Sequence, residues 1–385
     1  MKQPESSLAK EDLVAEEGMP ERGNGSTFFL WLIPLLLSAL GIVMITSVTT
    51  NLSVSRWDVP FVYGIRQIKW LLLGLASMVA CYCIPIRIWK RLSGILWIFA
   101  VGMMIMTLVP GFFNAAGGAT RWLSVGPVSI QASEFLFLAV ILHGAKKLHA
   151  PGLSPLHAFS RILLIFFISS WPFALQPDFG GAVLLFAFLM GLYVELYGWK
   201  YPLFFGLVLA LTVFLPLLVT SAYRMRRIMA FLDPWEDPLG NGFQIIQGFI
   251  AFANGDLWGV GLGQGLQKLK YLPAVHTDFI FAAIGEELGF IGTATVLGLF
   301  FLWFFLLMMA YCRLRGTFAG TLLWGGTLSI ALTLFINLGG VMKLLPLTGI
   351  PLPFLSYGGS ALVTLWAKTG IILRSIKDGT KEDPA

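Results

Sequence analysis

Apolar residues run along this chain in long unbroken stretches, separated by short polar or glycine- and proline-rich breaks. No strand-like alternation or narrow helical stripe competes with them. Each stretch needs about 20 residues of helix to cross a bilayer, because lipid offers backbone groups no partner but one another. The pattern predicts about ten spans: 28–50, 68–86, 92–109, 134–145, 162–175, 180–196, 201–220, 279–312, 319–344 and 360–375. A closed β-barrel is excluded, since its strands would alternate apolar and polar positions. The fold expected is an all-α integral membrane protein, with a large extracytoplasmic loop at 221–277 between spans seven and eight. Residues 1–27 read as a disordered polar tail, 28–376 as the polytopic domain and 377–385 as a second tail.

Composition supports this reading: 57% of the 385 residues are hydrophobic, 12% are charged, and mean hydropathy is +0.80. No water-soluble domain of this length carries such a surface. Lys and Arg favour the cytoplasmic side of short connecting segments. With the N-terminus inside, 15 of them fall in inner segments against 8 in outer ones, five of the eight in the long loop. Both termini are therefore expected in the cytoplasm, with the first span as an uncleaved anchor. The pI of about 9.2 then reflects topology and contact with anionic lipids, and nucleic-acid binding is not needed to explain it. Cys81, Cys83 and Cys312 all fall toward cytoplasmic helix ends, where no disulfide is expected. The four histidines show no metal-ligand spacing, so no metal site is expected from the protein alone.

Polar residues gather in the outward segments. Asp278, in His276-Thr277-Asp278-Phe279, sits where the long loop meets a span; a carboxylate there costs several kcal/mol, roughly 2–4, unless paired or used. Arg121-Trp122 is either an interfacial anchor or a ligand contact. Asp178 either caps the next helix or takes part in chemistry. Arg224, Arg226 and Arg227 open the long loop with guanidinium forks suited to phosphate, or else to lipid headgroups and the nearby acids Asp233, Glu236 and Asp237. Residues 242–254 form an amphipathic segment, lying in the interface or buried as a loop helix. Glu286 and Glu287 follow Asp278 inside the eighth span, with Lys343 and Lys368 as the expected intramembrane counter-ions.

Taken together, Gly118 to Trp122, Gln176 to Gly180, Tyr223 to Arg227 with Phe231 to Trp235, His276 to Phe281 and Pro351 to Ser360 resemble the SEDS family (shape, elongation, division and sporulation) over nearly the whole chain. The loop motifs are more similar to its division branch than to its elongation branch. The resemblance implies polymerisation of lipid II into glycan strands, with the essential aspartate mapping onto Asp278 and family-sensitive positions onto Trp122 and Asp178. Gly181, Ala361 and Asn254 to Asp256 depart from the family pattern. It also implies a class B penicillin-binding protein as transpeptidase partner, other division membrane proteins nearby, and residence in a bacterial inner membrane at the division site. Arg121, His276, Lys343, Lys368 and Glu286 complete the expected substrate contacts. Asp278 is expected to act as general base, helped at the pyrophosphate by the loop arginines or a divalent cation (Mg or Mn). A lipid II flippase and a non-enzymatic division scaffold are the rival readings.

Overall fold

The structure is a computed structural model. It describes residues 24–109, 113–116, 119–125, 128–176, 178–216, 220, 222–267 and 272–380. The expected tail at 1–23, the end of the chain from 381, and the side chains of Arg121 and Arg224 lie outside the described residues.

Each predicted span overlaps a helix over its described residues. In chain order these are α1 (Asn24–Trp57), α2 (Val62–Cys83), α3 (Ile86–Met106), α4 (Ala132–Leu148), α5 (Pro155–Leu175), α6 (Phe179–Tyr197) and α7 (Lys200–Leu209), the last continuing through a π-helical turn, Ala210–Phe214. Loop helices α8 (Ala222–Leu232) and α9 (Phe243–Gly255) follow, then α10 (Ile280–Leu314), α11 (Phe318–Val341) and α12 (Gly359–Gly379). Seven of them, α1, α2, α3, α5, α6, α10 and α11, are long and apolar enough to cross a membrane. Helix α4 has 17 residues, α7 ten before its π turn, and α12 is diluted by Lys368, Arg374 and Lys377. Large side chains such as Ile95, Phe99, Phe204 and Phe301 stand 64–75% exposed. A surface of that kind suits hydrocarbon and not water.

The expectation of an all-helical chain needs one correction. Between α3 and α4 the segment 113–131 forms a three-stranded antiparallel sheet, β1 (Phe113–Ala116), β2 (Ala119–Val125) and β3 (Val128–Gln131), in the order β1-β2-β3. Trp122 pairs with Asn114 on one side and Gln131 on the other. Backbone groups can find partners across antiparallel strands as readily as along a helix.

Helices α2 and α12 pack closely along their length. A Cβ on Gly370 would come within 2.3 Å of the Met78 carbonyl, so only glycine permits the approach. Helix α10 is broken at Gly289, whose φ of 67° and ψ of −166° no L-residue adopts comfortably. The stretch after α9 runs across this break and satisfies the backbone it frees. The Phe290 and Ile291 N–H groups donate to the carbonyls of Asp256 (2.8 Å) and Leu257 (3.2 Å), and the Val260 and Gly261 N–H groups donate to those of Glu286 (3.0 Å) and Glu287 (3.1 Å). Irregular backbone at this depth is tolerated only when protein covers it in this way. Helix α9 does the covering: Ile245, Ile246 and Ala251 are buried, and Phe252 meets the Phe281 ring at 5.9 Å. Of the two sequence readings for 242–254, the structure shows the docked loop helix.

Candidate active site

The N-terminal ends of α2, α4, α6, α10 and α12 gather at one end of the bundle, and the loops there enclose a cavity of about 790 Å³. Asp278, His276 and Trp122 line it, together with Arg66, Lys69, Gln131 and Tyr357.

Asp278 is half-buried and reaches this position through ties on its backbone. Its N–H donates to the Ala274 carbonyl (3.1 Å), and Asn337 Nδ2 donates both to its carbonyl (3.0 Å) and to that of Ile350 (2.8 Å). The loop 351–358 is bound to the same turn. Ser356 Oγ donates to the Thr277 carbonyl and accepts from Leu352 N–H (2.8 Å), while Tyr357 N–H donates to the His276 carbonyl (2.9 Å). Gly349 leaves its open face toward the carboxylate, the position of a Cβ there lying 3.5 Å from Asp278 Oδ2. The backbone of the aspartate is thus held from two segments far apart in sequence.

Arg66 and Lys69 stand three residues apart on α2 and so share a face, here the face toward the cavity. Arg66 lies 4.8 Å from the centre of the Trp57 ring. Burial pushes the Tyr357 phenol up, opposed by the charge of Arg66 and a hydrogen bond from it. His276 packs against the rings of Tyr63 (5.6 Å) and Tyr357 (5.8 Å). Burial, and then the charge of Arg56, pushes its imidazole down, so it is neutral at pH 7. The cavity therefore joins one carboxylate, a neutral histidine, aromatic walls and two cations. Neither cation was singled out from the sequence; Lys69, a charge just inside an apolar run, was the available signal.

Other expected site residues lie elsewhere. Asp178 caps α6, accepting from Gly181 N–H (3.1 Å), and does not line the cavity; the next residue but one, Gly180, packs against Thr348 beside Gly349. Arg226 is exposed, and Arg227 Nη1 donates to the Leu347 carbonyl (3.0 Å), so neither reaches the cavity. Lys343 sits half-buried at the end of α11 with φ 56°, also outside it.

The expected counter-ions of Glu286 and Glu287 are likewise corrected. Lys368 pairs with Glu134 (3.9 Å) and contacts Ser329 Oγ (3.4 Å). Glu286 instead accepts from the N–H groups of Leu266 (2.9 Å) and Gln267 (3.2 Å) and from Asn254 Nδ2 (3.3 Å). Glu287 accepts from Ser47 Oγ (2.6 Å) and Gly263 N–H (3.1 Å). Both carboxylates are almost fully buried, 2% and 1% exposed, and loop amides supply the hydrogen bonds that a lysine was expected to supply.

Comparison with known proteins identifies the family to which this fold belongs. A family profile described as "Cell cycle protein" (FtsW, RodA, SpoVE) matches residues 27–381. A probable peptidoglycan glycosyltransferase FtsW of Nitrosococcus halophilus is 37% identical over 346 residues, 88% of this chain and 89% of its own. That of Halorhodospira halophila is 36% identical over 379 residues, 94% of each chain. Among solved structures, a chain from a peptidoglycan synthase complex that coordinates polymerization and crosslinking superposes with a TM-score of 0.74 at 27% identity, covering 92% of this chain and 98% of its own. The rod shape determining protein RodA of Thermus thermophilus shares the fold, with a TM-score of 0.68 at 24% identity over 92% of this chain and 97% of its own. The chain belongs to the FtsW/RodA/SpoVE family of cell cycle proteins.

Proposed function

We propose that this protein is a peptidoglycan glycosyltransferase of the FtsW kind, polymerising lipid II into glycan strands during cell division with Asp278 as general base. The observation that carries the reading is the shared cavity: one carboxylate and two cations open onto the same space at one end of a membrane bundle. Extending a glycan from a prenyl-pyrophosphate donor requires a base for the incoming hydroxyl and positive charge for the departing pyrophosphate. It does not require the second carboxylate of a glycosidase, because pyrophosphate leaves without being protonated.

In this mechanism Asp278 takes the proton of the acceptor's sugar 4-hydroxyl as its oxygen bonds to C1 of the growing chain. The C1–O bond to the donor's pyrophosphate breaks with inversion, and the electron pair leaves on the phosphate oxygen. Arg66 and Lys69 stabilise that charge, Arg66 with a fork that matches two phosphate oxygens. Trp122 and Tyr357 give the sugars aromatic walls. Among the described residues no three His, Cys, Asp or Glu side chains gather to hold a metal. Among the described residues lining the cavity, Asp278 and His276 are the candidate metal ligands. A Mg or Mn ion fits as a counter-ion carried on the substrate's own phosphates, where it would neutralise leaving-group charge.

About ten spans, both termini in the cytoplasm and the cavity facing outward at the division site of the inner membrane complete the reading. A class B penicillin-binding protein is its transpeptidase partner, a reading supported by the likeness to a chain from a complex that coordinates polymerization and crosslinking. The test is incubation of purified protein with labelled lipid II, with and without that partner, followed by separation of glycan by length. The expected product is a ladder of polymer. Translocation of lipid II across vesicles with no polymer, in the presence of the partner, would overturn the enzyme reading in favour of a flippase.

A further inference from the structure

A second cavity lies at the opposite end of the bundle from Asp278 and takes no part in the chemistry above. It is an open groove of about 920 Å³ between the start of α1, the last turns of α2, and the C-terminal ends of α10 and α12. Its walls are apolar, with Trp31, Met78, Leu306, Ala310 and Leu373 among them. Two cations, Arg313 and Lys377, stand in its lining.

Those two differ from the neighbouring Arg374. Arg374 is bound to Asp378 (2.8 Å) and to the Tyr82 carbonyl (3.2 Å). Arg313 and Lys377 have no acidic partner within 4.0 Å among the described residues. Lys377 Nζ is held over the Tyr82 ring, 5.0 Å from its centre, which fixes the ammonium at the groove without neutralising it. An apolar trough with uncompensated positive charge is complementary to a ligand with a hydrocarbon body and an anionic head. Basic residues at a membrane surface attract such lipids.

We propose that this groove binds one anionic phospholipid from the leaflet at that end of the bundle, its phosphate on Arg313 and Lys377 and an acyl chain along α10 and α12. The site joins four helices, α1, α2, α10 and α12, that share no short connection except between the first two. A bound lipid therefore ties the first helices to the last.

The full-length protein is reconstituted in nanodiscs holding equal amounts of phosphatidylglycerol and phosphatidylethanolamine, and retained lipid is identified by native mass spectrometry. The native chain is expected to keep phosphatidylglycerol over phosphatidylethanolamine by at least fivefold. The double variant Arg313→Ala/Lys377→Ala should lose that preference. Ala310→Phe, which fills the trough and leaves both charges in place, should lower retention of either lipid. Equal retention of the two lipids by the native chain, or native selectivity in the double variant, overturns the proposal, as does undiminished retention in Ala310→Phe. None of these readouts depends on glycan synthesis.

Discussion

Asp278 and the pair Glu286-Glu287 are acidic stations eight or nine residues apart on the same stretch of chain, and the molecule treats them oppositely. Glu286 and Glu287 are sealed from solvent, and their oxygens accept hydrogen bonds from the 254–267 segment and from Ser47. They hold the loop against the break in α10. Asp278 has its backbone tied to Ala274 and Asn337, and it lines the cavity with Arg66 and Lys69. A charge near the membrane is thus not in itself a sign of chemistry. What separates the two stations is burial and access: loop N–H groups close over Glu286, whereas half-buried Asp278 lines a cavity of substrate size.

The sharpest way to break this contrast is to neutralise each station in turn. Asp278→Asn keeps the size of the side chain and removes the base, so polymerisation should fall by about 10³-fold or more, with the thermal midpoint in detergent unchanged. Retained activity would remove Asp278 from the mechanism. Glu286→Ala should act the other way, through the fold. It strands the Leu266 and Gln267 N–H groups and Asn254 in a buried place, at roughly 1–3 kcal/mol for each unsatisfied group. The thermal midpoint should drop, and activity should drop only in step with the folded fraction. A Glu286→Ala protein with native stability and no activity would move that glutamate into the chemistry.

The two stations also show what the sequence made legible. Spans could be read from hydropathy because each helix carries its own signal, and Asp278 stood out because its position at a loop-to-span boundary is local. The lysines assigned to Glu286 and Glu287 were wrong for a long-range reason. The donors that satisfy those carboxylates are mostly backbone N–H groups of a glycine-rich loop, and a peptide amide leaves no trace in residue type. Arg66 and Lys69 were overlooked because their meaning depends on α2 packing beside α12, which brings them opposite a residue more than two hundred positions later. The sheet at 113–131 was missed because it is short and glycine-rich, with no alternation long enough to register.

The cation pair sharpens the comparison from the other side of the cavity. Arg66→Ala should lower polymerisation by about 100-fold, and Lys69→Ala by less, since a fork matches two phosphate oxygens where an ammonium offers a point charge. Loss at kcat with an unchanged KM would place the contact in the transition state; loss at KM alone would make it a binding contact. Arg226→Ala, on an exposed face of the loop, should change either constant by less than about threefold. A large effect there would return the pyrophosphate to the loop arginines.

The smallest expected effect lies in pH, and it too divides the stations. His276 belongs to the Asp278 turn, and burial with the nearby Arg56 charge holds its imidazole below the ordinary value of 6.5. The unfolded chain takes up a proton there before the folded one does, so stability rises with pH across the window between the depressed value and 6.5. Lowering the pH below about 6.5 should therefore bring a shallow fall in thermal midpoint, ending once the folded histidine also protonates. His276→Phe keeps the ring contacts with Tyr63 and Tyr357 and removes the titration, so its curve should be flatter over that window. A native-like slope in His276→Phe would remove His276 as the source of the acid sensitivity.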